Sequence, residues 1–120
     1  MARVLSIEDE ANLRLLYRLE LELEGYEIVE VGSGNDALEI LAYEKIDAVV
    51  LDLLLLDFGG LQLMDEMLTR QRYLPIVINT AYNQLHNDFH YWGAEAFVVK
   101  SSDLSELKGA LAQVIPVAKS

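Results

Sequence analysis

Ala48-Val49-Val50-Leu51, followed at once by Asp52, reads as a short strand that is apolar on both faces and stops on a carboxylate. Such a strand has no wet side, so it belongs in a sheet covered by helices above and below. Working outward, four more β-rich runs flank it: Val4-Leu5-Ser6-Ile7, Glu27-Ile28-Val29-Glu30-Val31, Ile76-Val77-Ile78 and Ala96-Phe97-Val98-Val99. The run at 27–31 carries Glu27 and Glu30, which suits an edge strand.

Helical patterns fill the gaps. Leu16, Leu19 and Leu23 recur at i, i+3 and i+7, and Gly25 stops that helix. Ser33 with Asp36 opens a second helix through Ala37, Leu38 and Leu41. Gly59-Gly60 opens a third, on Leu61, Met64 and Leu68, which closes before Pro75. Leu85, Phe89 and Trp92 mark a fourth, ended by Gly93. Asp103 with Glu106 makes a capping-box pattern for a fifth, on Leu104, Leu107, Leu111 and Val114, limited by Pro116. Strands alternating with helices indicate an α/β fold with a parallel sheet and right-handed crossovers. With 120 residues, 52% of them hydrophobic, and no repeat or linker, the expectation is a single domain over residues 1–120.

Bulk properties exclude several classes. A net charge of −11 with nine scattered basic residues argues against direct nucleic-acid binding. No apolar run is long enough to cross a bilayer, and the start turns acidic at Glu8-Asp9, too early for a signal peptide. Without cysteine there are no disulfides or thiolate metal sites, and a cytoplasmic location is the expectation.

Ligands of such sheets sit beyond the carboxyl ends of the strands. The first strand ends in Glu8-Asp9, the third in Asp52, the fourth in Thr80 and the fifth in Lys100. Three carboxylates on one rim repel, so one is protonated or a cation neutralises them. Oxygen donors alone point to a hard ion, Mg2+ or Mn2+. A carboxylate can attack phosphorus, and the transferring group then needs the positive charge that a cation and Lys100 supply. Taken singly, Asp9 is a helix cap, Thr80 a strand residue and Lys100 a solvated one, while Asp52 reads equally as a loop residue or a site residue. It is their coincidence on one rim that carries the reading.

Glu8-Asp9-Glu10, Val49-Val50-Leu51-Asp52-Leu53, Thr80-Ala81, Gly93-Ala94 and Phe97-Val98-Val99-Lys100 together resemble the response-regulator receiver signature, from Arg3 to about Leu111. The resemblance implies a flavodoxin-like three-layer sandwich, with sheet order 2-1-3-4-5 and five helices. It implies Asp52 as phosphoacceptor from a sensor histidine kinase or phosphotransfer protein. Mg2+ would be held by Glu8, Asp9, Asp52 and the backbone carbonyl of Leu54. Lys100 would pair with the phosphoryl oxygens, and Thr80 and Phe97 would act as the switch, Phe97 rotating inward. The face formed by the fourth helix, fifth strand and fifth helix would then address a downstream protein or output domain lying outside this chain. Homodimerisation stays open. Leu54 and Tyr82 stand at positions that set the dephosphorylation rate, and neither suits orienting a hydrolytic water, so self-dephosphorylation should be slow.

The chain departs from the family at Glu8, where an aspartate is usual, at Leu56, where proline is common, and at Ser101, where proline follows the lysine in a cis bond. Leu56 suggests a looser loop. A cis bond before serine costs about 2.5–4 kcal/mol, so Lys100-Ser101 should be trans and Lys100 less firmly held. Two other readings compete. A pseudo-receiver would use the same fold as a phosphorylation-independent binding module. An aspartate-nucleophile enzyme would need a second acid two residues after Asp52, where Leu54 stands, so beyond self-catalysed phosphorylation and dephosphorylation no enzyme is expected. His86 and His90 have zinc-like spacing but no third ligand and read as surface histidines. Asp57 reads as a turn residue before Gly59-Gly60.

Overall fold

The computed structural model describes residues 1–55, 57, 59–81 and 92–115. The order is β1 (Arg3–Ile7), α1 (Ala11–Leu23), β2 (Glu27–Val31), α2 (Gly34–Tyr43), β3 (Ala48–Leu51), α3 (Gly60–Arg70), β4 (Ile76–Thr80), β5 (Ala96–Val99) and α4 (Ser105–Val114). Every strand pairing is parallel and the sheet order is β2-β1-β3-β4-β5, as the resemblance implied. Four helices lie among the described residues. The expected fourth helix, on Leu85 and Phe89, falls largely outside them, as do Leu56, Tyr82, His86, His90 and Pro116.

The apolar character of β3 has the cause read from its sequence. All four of its residues are buried, because each sheet face carries its own core. On one face Ile7, Leu51, Ile78 and Phe97 pack with Leu38 and Leu41 of α2 and Leu63, Met64 and Met67 of α3. On the other, Val4, Val50, Val77 and Val98 pack with Tyr17 and Leu21 of α1 and Leu107 and Leu111 of α4. At one edge, β2 is only partly covered, and there Glu27 pairs with Arg3 at 3.1 Å and Glu30 with Arg18 at 3.4 Å.

One helix turns a different face inward than expected, and a second does so only at its first turn, since Met64 and Leu68 of α3 do pack on the core. α1 buries Tyr17 and Leu21, while Leu16, Leu19 and Leu23 are exposed by 38%, 49% and 79%. α3 buries Leu63, Met64 and Met67 and leaves Leu61 exposed. α1 carries leucines around much of its circumference, so periodicity alone admits more than one stripe. Gly25 ends α1 at φ 97°, a left-handed conformation that other residues reach only at a cost. At the start of α4, the Asp103 carboxylate accepts from the Ser105 N–H at 2.9 Å and the Ser105 hydroxyl at 2.7 Å. It therefore caps two residues on, rather than forming a box with Glu106.

Candidate functional site

The strand register assembles the site. Ile7 pairs with Leu51, Leu51 with Ile78, and Ile78 with Phe97. One residue further along, Glu8 and Asp52 come abreast at the carboxyl rim, held by the Glu8 N–H on the Val31 carbonyl at 3.1 Å and the Asp52 N–H on the Ile7 carbonyl at 3.2 Å. Thr80 closes β4, and its carbonyl accepts from the Lys100 N–H at 2.8 Å, which fixes where the Lys100 stem leaves β5.

Lys100 reaches back across the rim. Its Nζ lies 2.9 Å from Asp52 Oδ2, aligned as a hydrogen bond, and 2.9 Å from Glu8 Oε1 as an ion pair. The bond between Lys100 and Ser101 is trans, as expected without proline. Without that proline, the Lys100 ammonium still has two carboxylate partners, Glu8 and Asp52. The longer side chain of Glu8 serves this arrangement: Oε2 accepts from the Glu10 N–H at 3.1 Å while Oε1 meets Lys100.

Asp9 is half-buried and does not cap α1; Glu10 does, its carboxylate accepting from the Leu13 N–H at 2.8 Å. That removes the ordinary explanation for Asp9. Glu8, Asp9 and Asp52 each offer one carboxylate oxygen, all within 4.8 Å of one another. Oxygens on one octahedral magnesium lie about 3.0 Å apart when cis and about 4.2 Å when trans, so the three carboxylates would draw together around an ion. Glu8 Oε1 is buried without a hydrogen bond in good geometry, an oxygen of the kind a cation satisfies. The donor set fits a hard divalent ion.

Burial pushes the Glu8 carboxyl above its ordinary value, against the pull of Lys100 and the Glu10 N–H. For Lys100, burial pulls the ammonium down, but the Glu8 and Asp52 carboxylates outweigh it and leave its pKa raised. On the α1 side, Ser6, Tyr17 and Asn79 form a buried polar floor beneath the rim. Phe97 is buried and packed inward against the core, so its ordinary role as a core aromatic is visible in the structure.

Two residues matter more than their sequence suggested. Arg14 donates from Nη1 to the Glu8 carbonyl at 2.8 Å and lies so close over Gly32 that a Cβ there would meet its guanidinium at 2.8 Å. Asp57, expected to be a turn residue, accepts from the Gly34 N–H at 2.9 Å and the Asn35 N–H at 3.0 Å at the start of α2. Its capping role had no local sign, since its partners lie more than twenty residues earlier. The expectation of a looser loop at Leu56 lies outside the described residues, but the residues flanking it are closely placed. A bridge between Leu54 and Gly59 closes its neck, and Gly60 sits so near Leu53 that a Cβ would meet its Cα at 2.4 Å.

Comparison with known proteins places this geometry. The family described as response regulator receiver domain matches residues 4–112. Sporulation initiation phosphotransferase F of Bacillus subtilis is 26% identical over 117 residues, 96% of this chain and 94% of that protein. Transcriptional regulatory protein PdtaR of Mycobacterium tuberculosis is 38% identical over 112 residues, 91% of this chain but 54% of that protein, so the chain spans about half of it. Among solved structures, response regulator TrrA of Thermotoga maritima, in complex with Mg2+ and BeF, superposes with a TM-score of 0.90 at 34% identity, covering 96% of this chain and 100% of that one. The same regulator has also been solved in complex with the histidine kinase ThkA.

Proposed function

Because this chain belongs to the response regulator receiver family, we propose that it is a phosphorylation switch in which Asp52 takes a phosphoryl group from a sensor histidine kinase or phosphotransfer protein. The observation that carries this is the Lys100 ammonium, 2.9 Å from both Asp52 and Glu8, with Asp9 completing a three-carboxylate rim. An Asp52 carboxylate oxygen forms the new bond to phosphorus as the bond from phosphorus to the donor breaks, and the leaving group takes up a proton. Lys100 stays close to the charge that moves onto the phosphoryl oxygens. Glu8, Asp9, Asp52 and the Leu54 carbonyl would hold Mg2+ or Mn2+, which supplies charge neutralisation at those same oxygens.

Thr80 and Phe97, both buried, then form the switch, Phe97 rotating inward on phosphorylation. The face around β5 and α4 addresses a downstream protein, or an output domain such as the chain's half-length match to PdtaR suggests. Leu54, exposed by 51%, offers no group to orient a hydrolytic water, and with Tyr82 it favours a long-lived mark. A cytoplasmic setting suits such a kinase partner. The pseudo-receiver alternative is not favoured, since Lys100 contacts both Asp52 and Glu8 at a rim that also holds Asp9.

The test is intact mass after incubation with acetyl phosphate and Mg2+. One phosphoryl group is expected on the native protein, none on Asp52→Asn, and none after chelation. Labelling that persists in Asp52→Asn would sink the assignment of the acceptor.

A further inference from the structure

We infer that Asp57 is a positioning residue for the cation site: its carboxylate, fastened to the start of α2, holds the loop that carries Leu54 against the acidic rim. The inference rests on the cation reading above and goes beyond it in naming what places the backbone ligand. The loop runs from the end of β3 at Leu51 to the start of α3 at Gly60. Its neck is closed by the Leu54–Gly59 bridge and by the Gly60 N–H on the Leu53 carbonyl at 3.1 Å. Closure of the neck does not by itself fix how a loop tilts.

Asp57 stops that tilt. Its two oxygens take two adjacent N–H groups of α2, Oδ1 from Gly34 at 2.9 Å and Oδ2 from Asn35 at 3.0 Å. A two-point contact fixes orientation as well as distance, and the N-terminal N–H groups of a helix have no partner within the helix. The anchor lies at a packed point of the fold, since Gly34 is buried, and it does not use the separate Ser33 cap on the Asp36 N–H. At the other end, Leu54 donates its N–H to Asp52 Oδ1 at 3.0 Å, so the loop's placement also sets the acceptor carboxylate. Asp57 thus stands in for the rigidity that a proline at position 56 would give.

Groups that orient a metal's ligands typically change its affinity by about 10–100-fold when removed. The experiment is calorimetric titration with Mg2+ and with Mn2+ of the native protein, Asp57→Ala, Asp57→Asn and Ser33→Ala, with a melting curve for each. Asp57→Ala should raise Kd about tenfold, and Asp57→Asn, which keeps one acceptor oxygen, should fall between it and the native protein. Ser33→Ala removes the other cap of α2 and should lower Tm while leaving Kd within about twofold. A native Kd retained by Asp57→Ala would overturn the inference and leave the cation reading standing. Weakening as large in Ser33→Ala would also overturn it, by showing that helix stability rather than the tether matters. Absence of Mg2+ and Mn2+ binding by the native protein would overturn both.

Discussion

Lys100 is the residue on which the rim depends. It stands between two buried carboxylates, Glu8 exposed by 2% and Asp52 by 5%, at 2.9 Å from each. Its raised pKa means that its contribution to stability is complete below the ordinary value of 10.5 and is lost as pH rises through the higher folded value. Glu8 has the opposite cost: its folded pKa is raised above 4.5, so ionising it weakens the fold as pH rises past that value. Replacing Lys100 with methionine leaves both carboxylates facing each other without a cation. In metal-free buffer near pH 7 this should cost about 1–3 kcal/mol, read from a urea midpoint. The loss should shrink as the pH is lowered and Glu8 takes up a proton, because its carboxyl is held above its ordinary value, and should shrink again when Mg2+ is added. An equal loss under all three conditions would mean that Lys100 does not screen these acids. The sequence showed Lys100, Asp52, Asp9 and Thr80 because each ends a strand run. It did not show Asp57 or Arg14 as participants, because their partners are a backbone carbonyl and two backbone N–H groups contributed by other elements.

For the elements, existence was legible and orientation was not. All five strands and the helices at 11–23, 34–43, 60–70 and 105–114 stand where the patterns put them. On α1, however, the leucines at 16, 19 and 23 face solvent and the inward line is Tyr17 and Leu21, four residues apart. A leucine-rich helix satisfies the helical period on two neighbouring stripes, and the sheet beneath it chooses between them. The choice has an energetic signature. Leu21→Ala, at a fully buried position, should cost about 2–5 kcal/mol. Leu23→Ala, at a position 79% exposed, should change stability by no more than about 0.5 kcal/mol. Chemical denaturation of the two variants measures both, and similar losses would restore the leucine stripe as the inner face.

Across the whole molecule, a net charge of −11 and a buried acidic rim make cation binding a stabilising event. A ligand that binds only the folded state adds about 1.4 kcal/mol at tenfold its Kd, which raises the Tm of a domain this size by roughly 4–8 °C. Mg2+ should therefore raise Tm in the native protein and do so far less in Asp9→Asn; a rise of equal size in both would point to general charge screening. The sequence by itself determined the α/β class, the strands and the acids, threonine and lysine at their ends, since hydrophobic pattern and chain order are local properties. The sheet order was legible too, but only through family resemblance. Only the tertiary structure decided which helix faces turn inward, that Glu10 rather than Asp9 caps α1, that Lys100 grips both Glu8 and Asp52, and that Asp57 fastens its loop to α2. The reason is physical: those outcomes are settled by contacts between segments 22–92 residues apart or by competition between equally good local solutions, and no local pattern encodes either.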